Sequence, residues 1–321
     1  MLQIFSITFP FFALVLCGYA AARRLLLPLE AVTGLNSFVL FFALPCMLYR
    51  FGANTPLPQL LDVGVFLTYS VCALVMVAFT VAISLNRRIG WNDAAFGALV
   101  AAFPNSGFMG VPLLVALLGA QAAGPVIATM VIDMLVTTSL CIAFSRLDGT
   151  DVHGASKAFK SALKGVAGNP LPWAILLGAL ASALQLELPK PVAQTVGLLA
   201  DAASPVALFT IGAVLARSQM LAARHKHPPI PLGDYLPVAA LKLFLHPLLV
   251  LLVGSSAIQL GLPLDRFALT VLVLVAALPS ASNVSLLAER FGADNGRIAR
   301  IILVSTAAAF VTFSLAVSWL T

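Results

Sequence analysis

The chain has 321 residues, of which 61% are hydrophobic and only 9% charged, with a formal net charge of +6. A soluble domain carries about 25% charged residues, so this composition excludes an ordinary soluble protein and leaves an all-α polytopic membrane protein. The positive charge follows from membrane topology and gives no reason to expect a nucleic-acid partner.

A membrane-spanning helix needs about 20 predominantly apolar residues. On that length ten spans are expected, at 2–22, 32–51, 62–85, 93–118, 124–145, 170–186, 192–216, 235–259, 266–290 and 297–320. Only the loops 146–169 and 217–234 between them are long and polar. Span 1 lacks the basic n-region and small-residue cleavage site of a signal peptide. Of the 18 Lys and Arg, Arg50 and Lys242 fall within or at the end of spans, and Lys190 and Arg266 follow even-numbered spans. The other 14 (Arg23, Arg24, Arg87, Arg88, Arg146, Lys157, Lys160, Lys164, Arg217, Arg224, Lys226, Arg290, Arg297 and Arg300) are assigned to the loops after spans 1, 3, 5, 7 and 9. The positive-inside rule makes that side cytoplasmic and places both termini outside. Cys17, Cys46, Cys72 and Cys141 all fall within spans without metal-ligand spacing, so neither a metal nor a cofactor is expected.

The chain repeats itself. "LPCMLYRFGA" (44–53) in span 2 aligns with "SPVALFTIGA" (204–213) in span 7, "AAFP" (101–104) with "AALP" (276–279), and "TTSL" (137–140) with "TFSL" (312–315). Two five-span halves follow, 1–145 and 170–321, joined by a cytoplasmic linker at 146–169. Because five is odd, the second half enters the membrane from the opposite side. That is the inverted repeat typical of secondary transporters.

Pro104 and Pro279 occupy equivalent places near the middle of spans 4 and 9, where proline breaks a helix. Each is followed by small polar residues, Asn105, Ser106 and Gly107 in one half and Ser280, Ser282 and Asn283 in the other. Irregular backbone at this depth is tolerated only where protein or a water-lined cavity satisfies it. Two inverted breaks are therefore expected to cross near the midplane, with the restarting half-helices pointing their N-terminal N–H groups at a common anion site. The Asn105 and Asn283 amides can both donate to and accept from a carboxylate.

"FPFFALVLCGYAAARR", "LNSFVLFFALPCMLY", "FPNSGFMGVPLL", "LKLFLHPLL" and "AALPSASNVSLLAERFG" together resemble the auxin efflux carrier family in its bacterial form, within the larger group that includes bile-acid:sodium symporters. The resemblance covers essentially the whole chain. It implies a homodimeric, elevator-type carrier in the bacterial inner membrane, with spans 1, 2, 6 and 7 as scaffold and spans 3–5 and 8–10 as the moving transport unit. It also implies an organic-anion substrate such as malonate or malate. The chain lacks the long central cytoplasmic loop of many plant members.

Ionisable residues inside spans point to function because placing them there is costly. Desolvating an ion costs several kcal/mol, whereas a helix terminus returns about 0.3–1 kcal/mol, or about 2 when partly buried. A dianion therefore calls for a cation, with Lys242 the first candidate and Arg50 the second. For Lys242, snorkelling to the interface is the alternative. For Arg50 it is headgroup anchoring. Asp133 can take up a proton alongside substrate or pair permanently with Lys242. His246 can titrate or simply pack, and Asp201 is expected to be structural or to lie at a dimer contact. No carboxylate adjoins either break, which favours proton coupling over a sodium-coupled symporter of the bile-acid type. H-E-x-x-H and G-x-S-x-G are both absent from the chain, and nothing else in it points to an enzyme.

Overall fold

The computed structural model describes residues 2–60, 62–147, 170–224 and 230–321. The linker from residue 148 on lies outside the described residues, with Lys157, Lys160 and Lys164, and so does Lys226. The described residues form helices throughout, with no strand among them. A bilayer dictates this, because only a helix closes every backbone hydrogen bond within its own segment. In chain order the helices are α1 (Leu2–Arg23), α2 (Ala31–Asn54), α3 (Val63–Ser84), α4 (Trp91–Ala102), α5 (Ser106–Leu118) and α6 (Ala120–Phe144). They continue with α7 (Pro170–Ala183), α8 (Lys190–Arg224), α9 (Leu236–Gln259), α10 (Arg266–Ala277), α11 (Val284–Arg290) and α12 (Asn295–Leu320).

Seven of these, α1, α2, α3, α6, α8, α9 and α12, are long and apolar enough to cross a membrane. The other three expected spans are shorter. At 93–118 and 266–290 the helix stops at the proline and restarts beyond it, giving α4 with α5 and α10 with α11. The expected span 170–186 is the 14-residue α7, about 21 Å long at 1.5 Å per residue.

Each break follows from local chemistry. Proline disfavours the helical conformation of the residue before it. Phe103, before Pro104, is extended at φ −97° and ψ 100°. Leu278, before Pro279, is extended at φ −62° and ψ 155°.

The helices group into two compact units. The first takes in 1–62, 107–127 and 169–227, and the second 63–106, 128–168 and 228–321. The boundary between Ser106 and Gly107 therefore falls inside expected span 4.

In the first unit, α1 crosses α8 where a Cβ on Gly18 would strike the Phe209 carbonyl and one on Gly212 the Val15 carbonyl. Likewise α2 crosses α7 at Gly52 and Gly178, where a Cβ on Gly178 would lie 2.6 Å from the Tyr49 carbonyl oxygen. Between apolar helices in lipid, such backbone contact supplies the attraction that water-driven burial cannot. The two crossings are related by one shift of 160 residues, Gly18 to Gly178 and Gly52 to Gly212. It is the same shift that aligns 44–53 with 204–213. Tyr19 Oη donates to Gln219 Oε1 at 2.6 Å across the first crossing, and Ser182 Oγ donates to the Thr55 carbonyl at 3.0 Å across the second.

In the second unit, one core gathers Val65, Tyr69 and Cys72 of α3, Ile132 of α6, Val250 of α9, and Leu272 and Ala276 of α10. Gly212→Leu should lower unfolding stability in detergent by about 1–3 kcal/mol through overpacking. Gly34→Leu, where nothing lies within 4 Å of a built Cβ, should change it by no more than about 0.5 kcal/mol.

Candidate functional site

The two breaks meet within the second unit. Pro104 and Ser280 form an isolated antiparallel bridge. The Asn105 N–H donates to the Pro279 carbonyl at 2.8 Å, and the Ala281 N–H to the Phe103 carbonyl at 3.0 Å. Each proline-induced gap thus satisfies the other's backbone, as the bilayer requires.

This pairing changes the expected anion site. Several N–H groups thought to face a ligand are already spent. The Ser106 N–H binds the Pro104 carbonyl at 2.8 Å, the Val284 N–H the Ala281 carbonyl at 3.3 Å, and the Ser285 N–H the Ser282 carbonyl at 3.2 Å. The Ser280 N–H donates to Ser305 Oγ on α12 at 3.3 Å. α11 has only seven residues, and Asn283 at its N-cap makes no side-chain cap bond.

Side chains remain available where the N–H groups are not. Asn105, Ser106, Ser280 and Ser282 are buried and Asn283 is half-buried. The Oγ atoms of Ser106 and Ser280 are fully enclosed and lack a hydrogen-bond partner among the described residues. An unsatisfied buried hydroxyl costs about 1–3 kcal/mol, and here one belongs to the bridge residue Ser280 and the other lies two residues beyond its bridge partner Pro104. Gly107 follows Ser106 directly but is grouped with the first unit.

Lys242 is completely buried, and its ammonium sits at the end of α10. Nζ donates to the Ala276 carbonyl at 2.7 Å and lies 3.1 Å from His246 Nδ1. A cation at a helix C-terminus meets the negative end of the helix dipole. Lys242 therefore holds the half-helix that leads into the second break, and does not snorkel. His246 is also fully buried, its Nε2 without a partner among the described residues. The His246 ring lies 6.1 Å from the Tyr69 ring.

Asp133 is fully buried and receives hydrogen bonds from Tyr69 Oη and Thr137 Oγ1, both at 3.0 Å. No basic side chain among the described residues lies within ion-pair distance of it, so the expected alternative of a direct Asp133–Lys242 bridge does not form. Two hydroxyls satisfy the carboxyl instead. Asp133 opens a π-helical turn, Asp133–Thr137, and Lys242 sits in another, Leu241–Leu245. Such turns are rare and concentrate at functional sites.

Arg50 belongs to the first unit, where its Nη1 pairs with Asp201 Oδ1 at 2.7 Å and its guanidinium lies 5.9 Å from the Phe51 ring centroid. Its charge is balanced within that unit by the aspartate expected to be structural.

Tyr69, Thr137 and Ser305 were not anticipated. Thr137 alone carried a signal, four residues from Asp133. Arg297 was counted among the basic loop residues, yet it is buried. Its Nε donates to the Asp234 carbonyl at 2.6 Å and its Nη1 to the Asp93 carbonyl at 2.8 Å, fastening α12 to the start of α4 and the turn before α9.

Comparison with known proteins bears on this geometry. A family described as membrane transport protein matches residues 3–317. A protein of Rhizobium meliloti (strain 1021) named "Putative malonate transporter" is 30% identical over 307 residues, 95% of this chain and 92% of its own. The "Uncharacterized transporter YfdV" of Escherichia coli (strain K12) is 25% identical over 287 residues, 88% of this chain and 86% of its own. "Auxin efflux carrier component 8" of Arabidopsis thaliana is 24% identical over 273 residues, 69% of this chain and 74% of its own. With seven helices able to cross a bilayer and a family match along nearly its whole length, the chain is a multi-pass membrane transporter of the membrane transport protein family, the family of the auxin efflux carriers.

Proposed function

We propose that this chain is a secondary active carrier for a small organic anion, a dicarboxylate such as malonate, bound at the crossing of the two breaks and moved together with a proton. The observation that carries the reading is the pairing of 103–105 with 279–281, with the unpartnered hydroxyl of Ser280 within it and that of Ser106 next to it. Asn105 and Asn283, with these hydroxyls and Ser282, supply the donors for the carboxylates. Lys242 supplies a positive potential through α10, without being a direct ligand.

The substrate class draws support from the relative whose printed name includes malonate. Proton coupling is assigned to Asp133, which can exchange a proton through its Tyr69 and Thr137 hydrogen bonds, with His246 beside Lys242 as the second group. Two compact units and the glycine crossings repeated at a 160-residue shift support ten spans in two inverted halves. Expected spans 1, 2, 6 and 7 then serve as scaffold and homodimer contact and spans 3–5 and 8–10 as the moving part of an elevator, with residues 107–127 of that moving part grouped in the first unit.

Uptake of labelled malonate into proteoliposomes tests the site. Hydrogen bonds to charged groups contribute about 1.5–3 kcal/mol, so Asn105→Ala or Asn283→Ala should raise the half-saturating concentration by about 10- to 100-fold. Near-normal uptake by both variants contradicts the crossing site. Asp133→Asn tests coupling. It should abolish accumulation driven by an inward proton gradient while leaving malonate counterflow intact. Gradient-driven accumulation that persists in Asp133→Asn, or that needs sodium in the wild type, contradicts proton coupling through this residue.

A further inference from the structure

The second unit contains a cleft away from the breaks, between the end of α9 and the start of α10, with a volume of about 360 Å³. The C-terminal turn of α12 closes one side of it. Its lining is graded. Along the two helices, exposed Arg266 and Gln259 stand at the ends, half-buried Ser255 and Thr270 lie one turn further in, and half-buried Leu251 and buried Val273 lie another turn in. From Arg266 to Val273 is seven residues, about 10 Å along a helix. That is about two-thirds of the 15 Å hydrocarbon half-thickness of a bilayer.

The charge at the mouth is unusual for its position. Arg266 is one of only two basic residues assigned to the side opposite the basic loops. It has no carboxylate within ion-pair distance among the described residues. Its neighbour Asp265 turns its carboxylate to cap α10, accepting from the Ala268 N–H at 2.6 Å. Thr270 Oγ1 donates to the Arg266 carbonyl at 3.0 Å. An uncommitted guanidinium is well suited to a bidentate phosphate contact.

We infer that this cleft binds a phospholipid, with its phosphate on Arg266, its glycerol and ester region beside Ser255, Gln259 and Thr270, and an acyl chain against Leu251 and Val273. The polarity gradient selects this occupant. A soluble dicarboxylate would use the guanidinium and gain nothing from the apolar depth, whereas a phospholipid matches the lining at all three levels. The cleft wall is α10, whose far end carries the Ala276 carbonyl held by Lys242. A bound lipid therefore buttresses the short half-helix that leads into the second break.

Native mass spectrometry of the detergent-purified protein, titrated with phosphatidylglycerol, tests the assignment. The wild type should show a saturable adduct. Arg266→Gln should weaken it about fivefold, the loss expected for one cationic contact at a membrane surface. Thr270→Phe, which fills the cleft without touching the charge, should weaken it at least as much. Both substitutions lie at the edge of the fold, and circular dichroism checks that each variant stays helical. Unchanged adduct affinity in both variants overturns the lipid site. So does displacement of the lipid by millimolar inorganic phosphate, which would make the cleft a site for free anions.

Discussion

A peptide group without a partner cannot be left in hydrocarbon, and the structure turns on how two proline breaks meet that constraint. Pro104 and Pro279 each stop a helix and strip it of donors. The two extended segments then exchange the Asn105 N–H to Pro279 and Ala281 N–H to Phe103 hydrogen bonds. Neither break is tolerable alone, because each is the other's partner. The backbone of the crossing is thereby satisfied from within, and the Ser106 and Ser280 hydroxyls remain enclosed beside it without a partner among the described residues.

Around that crossing, buried charge is supported at one remove. Lys242 acts on the end of α10 through the Ala276 carbonyl, and Asp133 is held by two hydroxyls of its own unit. A buried ion pair between them would offset charge against charge at a desolvation cost. Here each group instead keeps a hydrogen-bonded setting of its own. In the first unit the opposite solution appears, with Arg50 and Asp201 in direct contact.

Much of this was legible from residue pattern. Apolar run lengths gave the positions of the helices, seven of them long enough to span, and the X-Pro positions gave the breaks. The π-turns were not legible. Ser106, Asp133 and Lys242 all sit in such turns, yet a spacing of four residues still brings Thr137 to Asp133 and His246 to Lys242. Tyr69 reaches Asp133 from a separate helix, a contact that no local pattern encodes. Arg297 was misjudged for a different reason. A charge at a helix start reads as solvated, and only the fold reveals the two backbone carbonyls, of Asp234 and Asp93, that converge on it.

The central claim is that substrate sits against the crossing, and ligand protection addresses it most directly. Asn283→Cys, the half-buried position at the crossing, compared with the unmodified protein to subtract Cys17, Cys46, Cys72 and Cys141, would be labelled with a small thiol reagent with and without a transported dicarboxylate. Substrate should slow labelling at this position and leave a cysteine placed at Gly34 unaffected. Equal labelling with and without a substrate that the variant still transports would place the anion elsewhere and contradict the crossing site.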